Sequence, residues 1–327
     1  MYFNFHISRP VAFLFYVVSV VLLVSLTGTA TPVQAGDDRD FNSGPCSKTS
    51  FAALRACRNE SRDDYWIAVG NCNNLLTFGA IKKCLNKAED DLTEAQEECG
   101  AQYEAREGVC EGLGQAPYHP IIKPSEFLDP ASIAANPNPY LPLVPGITRI
   151  YHAEDEVITV EVTHDTKEIL GVTTIVVHDV VTTTDGELIE DTFDWLTQDV
   201  YGNVWYFGEI AKDYEDGELV SIDGSWTAGV DGAKAGVLMK AAPQVGDFYR
   251  QEFALGEAED MGEVVSVTGS ESVPAASCNN TCVVTKDFTP IEPDVLEFKY
   301  YAPGIGVILE VDPESGDRVE LVQVITN

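Results

Sequence analysis

Six of the chain's eight Cys residues fall in a mirror-symmetric series, and that series limits what the front of the chain can fold into. Cys46, Cys57, Cys72, Cys84, Cys99 and Cys110 are separated by 11, 15, 12, 15 and 11 residues. Two antiparallel helices rise equally per residue, so positions that face each other share one midpoint. Here the midpoint is residue 78, inside Leu76-Thr77-Phe78-Gly79, where a Gly can end one helix and let the chain reverse. Steps of 11 and 15 residues bring an ideal helix back close to the same face, so each arm carries its Cys on one stripe. The second arm, LNKAEDDLTEAQEECGAQYEAREGVC, is rich in strong helix formers. Geometry therefore selects Cys46–Cys110, Cys57–Cys99 and Cys72–Cys84. Each bridge contributes about 2–4 kcal/mol, which suits two helices with little core of their own. No His lies between Cys46 and Cys110 and no C-x-x-C occurs, which argues against zinc or haem. Cys278 and Cys282, in CNNTC, are expected to clip a local loop.

Oxidised Cys implies export, and the N-terminus reads the same way. Arg9 precedes an apolar run at residues 11–26, and a polar stretch ends in Val33-Gln34-Ala35. This order predicts a signal peptide over residues 1–35 and a periplasmic or extracellular protein. The run is shorter than the ~20 residues a spanning helix needs, so no transmembrane segment is expected in the mature chain. The full sequence carries 53 acidic and 20 basic residues, a net charge of −33. Such a charge argues strongly against nucleic acid or an anionic membrane surface as partner, since neither would approach so many carboxylates. Most of it belongs to the second half.

Three segments follow the signal. Residues 36–113 form the Cys-rich helical hairpin, residues 114–145 a Pro-rich linker, and residues 146–327 an acidic all-β domain. The linker is read as extended chain that packs through Ile121, Ile122, Phe127 and Leu128. Beyond it, about a dozen alternating segments are separated by short Gly- and Asp-containing turns, which force antiparallel neighbours. The fold class is α+β, mainly β: a disulfide-linked antiparallel helical hairpin, then a curled antiparallel β-sheet, as an open barrel or a sandwich. Its central ribbon is DWLTQDVYGNVWYFGE, residues 194–209, which turns at Gly202-Asn203. Strict alternation there puts Trp205, Phe207 and Glu209 on one face, with Val204 and Tyr206 on the other.

Taken together, NPYLPLVPG, DWLTQDVYGNVWYFGE, GSWTAGVDGAKAGVLM, GEAEDMGEV and YYAPGIGVILEVD resemble an uncharacterised group of bacterial exported proteins. Those proteins have an all-β domain, in some preceded by a Cys-rich helical segment. The resemblance implies export and a β fold, and brings no activity with it.

Chemistry-bearing residues are dispersed. Asp194 and Asp199 beside Trp195 and Trp205 are the carboxylate pair to consider for hydrolysis, although 53 acids make such pairs common. Trp195, Trp205, Tyr206 and Trp226 could line an apolar cavity; ordinary core packing is the plainer role. Glu257, Glu259 and Asp260, or Asp185, Glu187, Glu190, Asp191 and Asp194, offer the hard oxygens that Ca²⁺ takes, without EF-hand spacing. His152, His164 and His178 meet only if strand register allows it. The leading expectation is a non-catalytic exported binding module without a required cofactor, taking an apolar or amphipathic small molecule or a cell-surface protein. The alternatives are a carboxylate-dependent hydrolase and a Ca²⁺-stabilised structural envelope protein.

Overall fold

Two long helices open the computed structural model, which describes residues 44–326; the expected signal segment lies outside the described residues. Helix α1 (Pro45–Asn73) and helix α2 (Phe78–Leu113) run antiparallel. The Thr77 side chain caps α2 by accepting the Ala80 N–H at 3.2 Å, satisfying one of the orphan donors at its start. The bridges are Cys46–Cys110, Cys57–Cys99 and Cys72–Cys84, the pairs that share residue 78 as their midpoint. Ala53, Leu54, Ala88 and Val109 are buried along the seam with Cys72, Cys99 and Cys110, so sulfur supplies much of what a wider apolar stripe would.

The Pro-rich segment is more structured than its composition predicts. It contains a 3-10 turn at Pro124–Glu126 and a short helix α3 (Pro130–Ala135). Asp129 caps α3 by accepting the N–H groups of Ala131 and Ser132, and Pro130 occupies the first turn, where its missing N–H leaves no helical bond unmade. Ile121 is exposed rather than packed; Ile133, Leu141 and Leu143 provide the buried anchors. Phe127 meets Trp205 and Phe207 edge-on at 5.8 and 5.5 Å.

Sixteen strands follow. They are β1 (Ile147–His152), β2 (Glu156–Ile169), β3 (Val172–Thr183), β4 (Leu188–Gln198), β5 (Val204–Ile210), β6 (Asp213–Glu215), β7 (Glu218–Ser221) and β8 (Trp226–Thr227). Then come β9 (Lys234–Met239), β10 (Phe248–Arg250), β11 (Glu252–Phe253), β12 (Met261–Val273), β13 (Ala276–Phe288), β14 (Leu296–Ala302), β15 (Gly306–Val311) and β16 (Arg318–Thr326). One antiparallel sheet runs in the order β10-β12-β13-β14-β15-β16-β1-β2-β3-β4-β5-β9-β11. Its two ends, β10 and β11, are joined in the chain through Gln251 alone, so the sheet is nearly closed on itself. The Cys278–Cys282 bridge lies within β13. Gly269 and Glu271 on β12 pair with Cys282 and Cys278, so the bridge clips the chain that bulges out between the two Cys.

Closure decides which face is the core. Arg149, Tyr151, Val160, Val177, Asp179, Asp194, Leu196, Tyr206, Lys299 and Glu310 are all buried and, by strand pairing, lie on one face. Asp179 on β3 feels the charge of Glu310 on β15 although β16, β1 and β2 stand between their strands, so this face is the concave one. The strict alternation read for residues 194–209 fails at Gly208. Pairing of β4 with β5 shifts between Asp194↔Glu209 and Leu196↔Tyr206, with Gly208 at a φ of 130°. That bulge turns Glu209 away from Trp205 and Phe207 and sets it opposite Asp194 on the inner face.

Candidate functional site

The bulge at Gly208 assembles the first feature of note, a cluster of acids inside the sheet. Asp179, Glu190, Asp194, Glu209 and Glu252 are each at least nine-tenths shielded from solvent. The Tyr206 hydroxyl donates to Asp194 Oδ1 at 2.5 Å, Thr192 donates to Glu190 Oε1 at 2.6 Å, and Trp226 Nε1 donates to Glu252 Oε2 at 2.7 Å. Burial raises their pKa values by penalising the charged form, and neighbouring carboxylates add to it for Asp179, Glu190, Glu209 and Glu252. Asp194 is pushed up to about 6 and Glu190 to about 7. Asp179, Glu209 and Glu252 are pushed well above the carboxylate range. Asp179, Glu209 and Glu252 are therefore held as neutral acids at pH 7, while Glu190 is poised near its midpoint and Asp194 is mostly ionised. Opposite them, Lys299 sits 3.5 Å from Glu297 and 3.6 Å from Glu310.

The structure separates the two acids weighed for hydrolysis. Asp194 belongs to the inner face, whereas Asp199 lies beyond the end of β4 and accepts the N–H groups of Tyr201 and Asn203, the Asn203 amide and Trp205 Nε1. Asp199 thus holds the turn between β4 and β5. The four aromatics proposed to line one cavity also divide. Tyr206 and Trp226 meet edge-on at 5.4 Å inside, Trp195 carries Lys167 Nζ 3.0 Å from its ring centre, and Trp205 packs against Phe127. Among the acids read for Ca²⁺, Glu257 is exposed, Asp260 is half-buried and raised to about 7, and Glu259 is engaged by Arg106. His178 stacks on Phe193 and bonds Asp191 at 2.6 Å, while Glu161 is its cross-strand partner on β2. Among the described residues, no three His, Cys, Asp or Glu side chains are arranged to hold a metal ion.

A second feature was not foreseen. Where the base of the helical hairpin meets the sheet, a cleft of about 500 Å³ is walled by Leu113, Pro117, Tyr118, Phe253 and Leu255. Arg106, Lys234 and Arg250 reach it, against Asp231 and Glu259. Three bases to two acids is unusual for so acidic a chain. Arg106 grips Glu259 with Nε at 3.0 Å and Nη2 at 2.7 Å, and the Gly256 N–H also donates to Glu259. Arg250 lies 4.7 Å from the Phe253 ring centre and 5.7 Å from that of Tyr118. It is 7% exposed, yet its Nε and Nη1 have no acceptor, nor has Arg106 Nη1. Burial lowers the Arg250 pKa, with Glu259 working the other way. Lys234 Nζ donates to the Tyr118 carbonyl, and the Tyr118 hydroxyl donates to the Ala235 carbonyl at 2.8 Å, tying the linker to β9. The only hint in the sequence was the scarcity of bases, which makes each buried one worth explaining.

No protein-family model matches the chain, and no curated protein does. Two solved structures share part of its course. One is a protein from Bacteroides fragilis NCTC 9343 described as exported, with a YmcC-like fold; identity is 13% and the TM-score 0.34, over 58% of this chain and 100% of that one. The other is described as a lipoprotein of Parabacteroides distasonis ATCC 8503, at 10% identity and a TM-score of 0.30, over 57% of this chain and 99% of that one. At those scores the likenesses carry no argument about ligand or activity. The chain's own chemistry locates it: four disulfides and no free Cys belong to an oxidising, extracytoplasmic environment.

Proposed function

We infer that the protein is an extracytoplasmic, non-catalytic binding module whose ligand is an amphipathic small molecule with an anionic end, held in the cleft between hairpin and sheet. One observation carries this reading: Arg250 is buried against two aromatic rings with Nε and Nη1 unmatched. A buried donor without an acceptor is costly, and a buried charge more so. A carboxylate or phosphate brings the acceptor oxygens and the opposite charge that the Arg250 guanidinium lacks. Leu113, Pro117 and Leu255 offer the apolar body of such a ligand a wall to pack on.

Calorimetric titration of the exported protein with laurate, dodecyl phosphate and dodecanol tests the reading, since the three share a tail and differ in charge. At least one anion is expected to bind about 30-fold or more tighter than dodecanol, the scale of a desolvated charge contact. Arg250→Met, which keeps the aliphatic stem, is expected to abolish that preference with the fold intact by circular dichroism. Equal affinity for all three, or a preference that survives in R250M, overturns the assignment.

A further inference from the structure

The far end of the hairpin carries an apolar tip that nothing in the fold covers. Leu76 is 100% exposed, Phe78 82%, Trp66 67% and Ile67 58%. Leaving so many large apolar groups in water at one end of a rod is a feature of contact surfaces rather than of ordinary exteriors. Its charge is equally distinct. From residue 65 to residue 88 there is no Asp or Glu, in a chain with 53 of them, and the same stretch holds Lys82, Lys83 and Lys87. Lys87 pairs with Asp91; Lys82 and Lys83 are exposed beside the tip.

We propose that this tip docks on a lipid surface bearing anionic headgroups. Phe78, Leu75 and Leu76 would enter the boundary between headgroups and acyl chains. Lys82 and Lys83 follow about 6 Å behind Phe78, and Trp66 stands about 10 Å below the end of α1, within the depth that interfacial segments occupy. Trp at headgroup level and Lys among anionic headgroups are the contacts that hold a peripheral protein. The Cys72–Cys84 bridge fixes the turn before it meets the surface, so less ordering entropy is lost on docking.

The rod also answers the objection raised by the net charge. The sheet is strongly acidic, and an anionic membrane repels it at close range. The hairpin touches the sheet near its base: Gln102 Nε2 bonds the Ile291 carbonyl, and Arg106 pairs with Glu259. From Gln102 to Phe78 the helix extends about 36 Å, several times the Debye length of roughly 8 Å at physiological salt. The tip therefore meets the surface while the body's charge is screened from it.

Co-sedimentation of the exported protein with vesicles tests the proposal. Binding is expected to vesicles of equal parts phosphatidylcholine and phosphatidylglycerol, to weaken as salt is raised, and to be much lower on phosphatidylcholine alone. Lys82→Gln with Lys83→Gln is expected to reduce partitioning by on the order of 30-fold. Leu76→Glu with Phe78→Glu is expected to abolish it, with disulfides and circular dichroism unchanged because both side chains are already in water. Wild-type protein that stays in the supernatant, or an L76E/F78E protein that still sediments, overturns the proposal. So does a wild-type dimer that L76E/F78E converts to a monomer, since the tip would then serve a second copy of the chain. R250M is expected to bind vesicles like wild type, so failure of the cleft reading leaves this result legible.

Discussion

At the scale of single residues, the junction cleft depends on one carboxylate serving two guanidinium groups. Glu259 accepts two bonds from Arg106 Nε, one from Arg106 Nη2 and one from the Gly256 N–H, while its charge also reaches Arg250. Removing one partner of a buried pair strands the other. Glu259→Gln is therefore expected to cost about 3–5 kcal/mol, read as a lower urea midpoint. Replacing both, as R106M with E259M, is expected to cost less than E259Q, because neither charge is then left alone. In the sequence Glu259 was one of three neighbouring acids suited to Ca²⁺. Nothing local could tell it from Glu257 or Asp260, because the group that claims it, Arg106, lies 153 residues earlier.

At the scale of elements, the hairpin and the ribbon at residues 194–209 differ in how openly the sequence writes them. The three bridges of the hairpin follow from counting, because helical rise is constant and mirror spacing leaves one pairing. The ribbon follows from counting until Gly208. A β-carbon at that position would lie 2.3 Å from the Trp226 carbonyl oxygen, on a backbone with φ at 130°. Gly208→Ala is thus expected to cost more than about 2 kcal/mol, combining steric overlap with a strained dihedral. Gly217→Ala, also at positive φ but with open space around it, serves as the control and is expected to lower the melting temperature less. Helix α3 escaped a reading based on Pro content, since Pro130 starts a helix as readily as Pro elsewhere breaks one.

At the scale of the whole molecule, the acid-lined interior sets how stability responds to pH. Glu190, Asp194, Asp260 and Glu310 have folded-state pKa values of about 7, 6, 7 and 8, each raised first by burial. Unfolded, these groups titrate near their ordinary values of about 4. Between those limits the folded state binds more protons than the unfolded one, so stability falls as pH rises. Their contribution is fully present near pH 4 and is lost progressively up to about pH 8. The melting temperature of the exported protein is expected to drop from pH 5.5 to pH 8, the folded-state pKa values lying within or at the edge of that window. E190Q together with D194N is expected to flatten the slope, and an unchanged slope would place the effect on Asp260 and Glu310 instead.

The one-dimensional chain determined whatever repeats at a fixed interval. Cys spacing gave the bridges, alternation and short turns gave antiparallel strands, and Cys usage gave the compartment, because each is a local consequence of helical rise, strand pleat or redox chemistry. Curvature is not local. Only when the sheet closed did one face become an interior, turning scattered Asp and Glu into buried acids with raised pKa values and dividing the four aromatics that sequence had grouped. Only when the hairpin base met the sheet's edge did Arg106, Arg250 and Tyr118 share a cleft. Burial and proximity are properties of the closed surface, so they assign roles that no run of neighbours along the chain can.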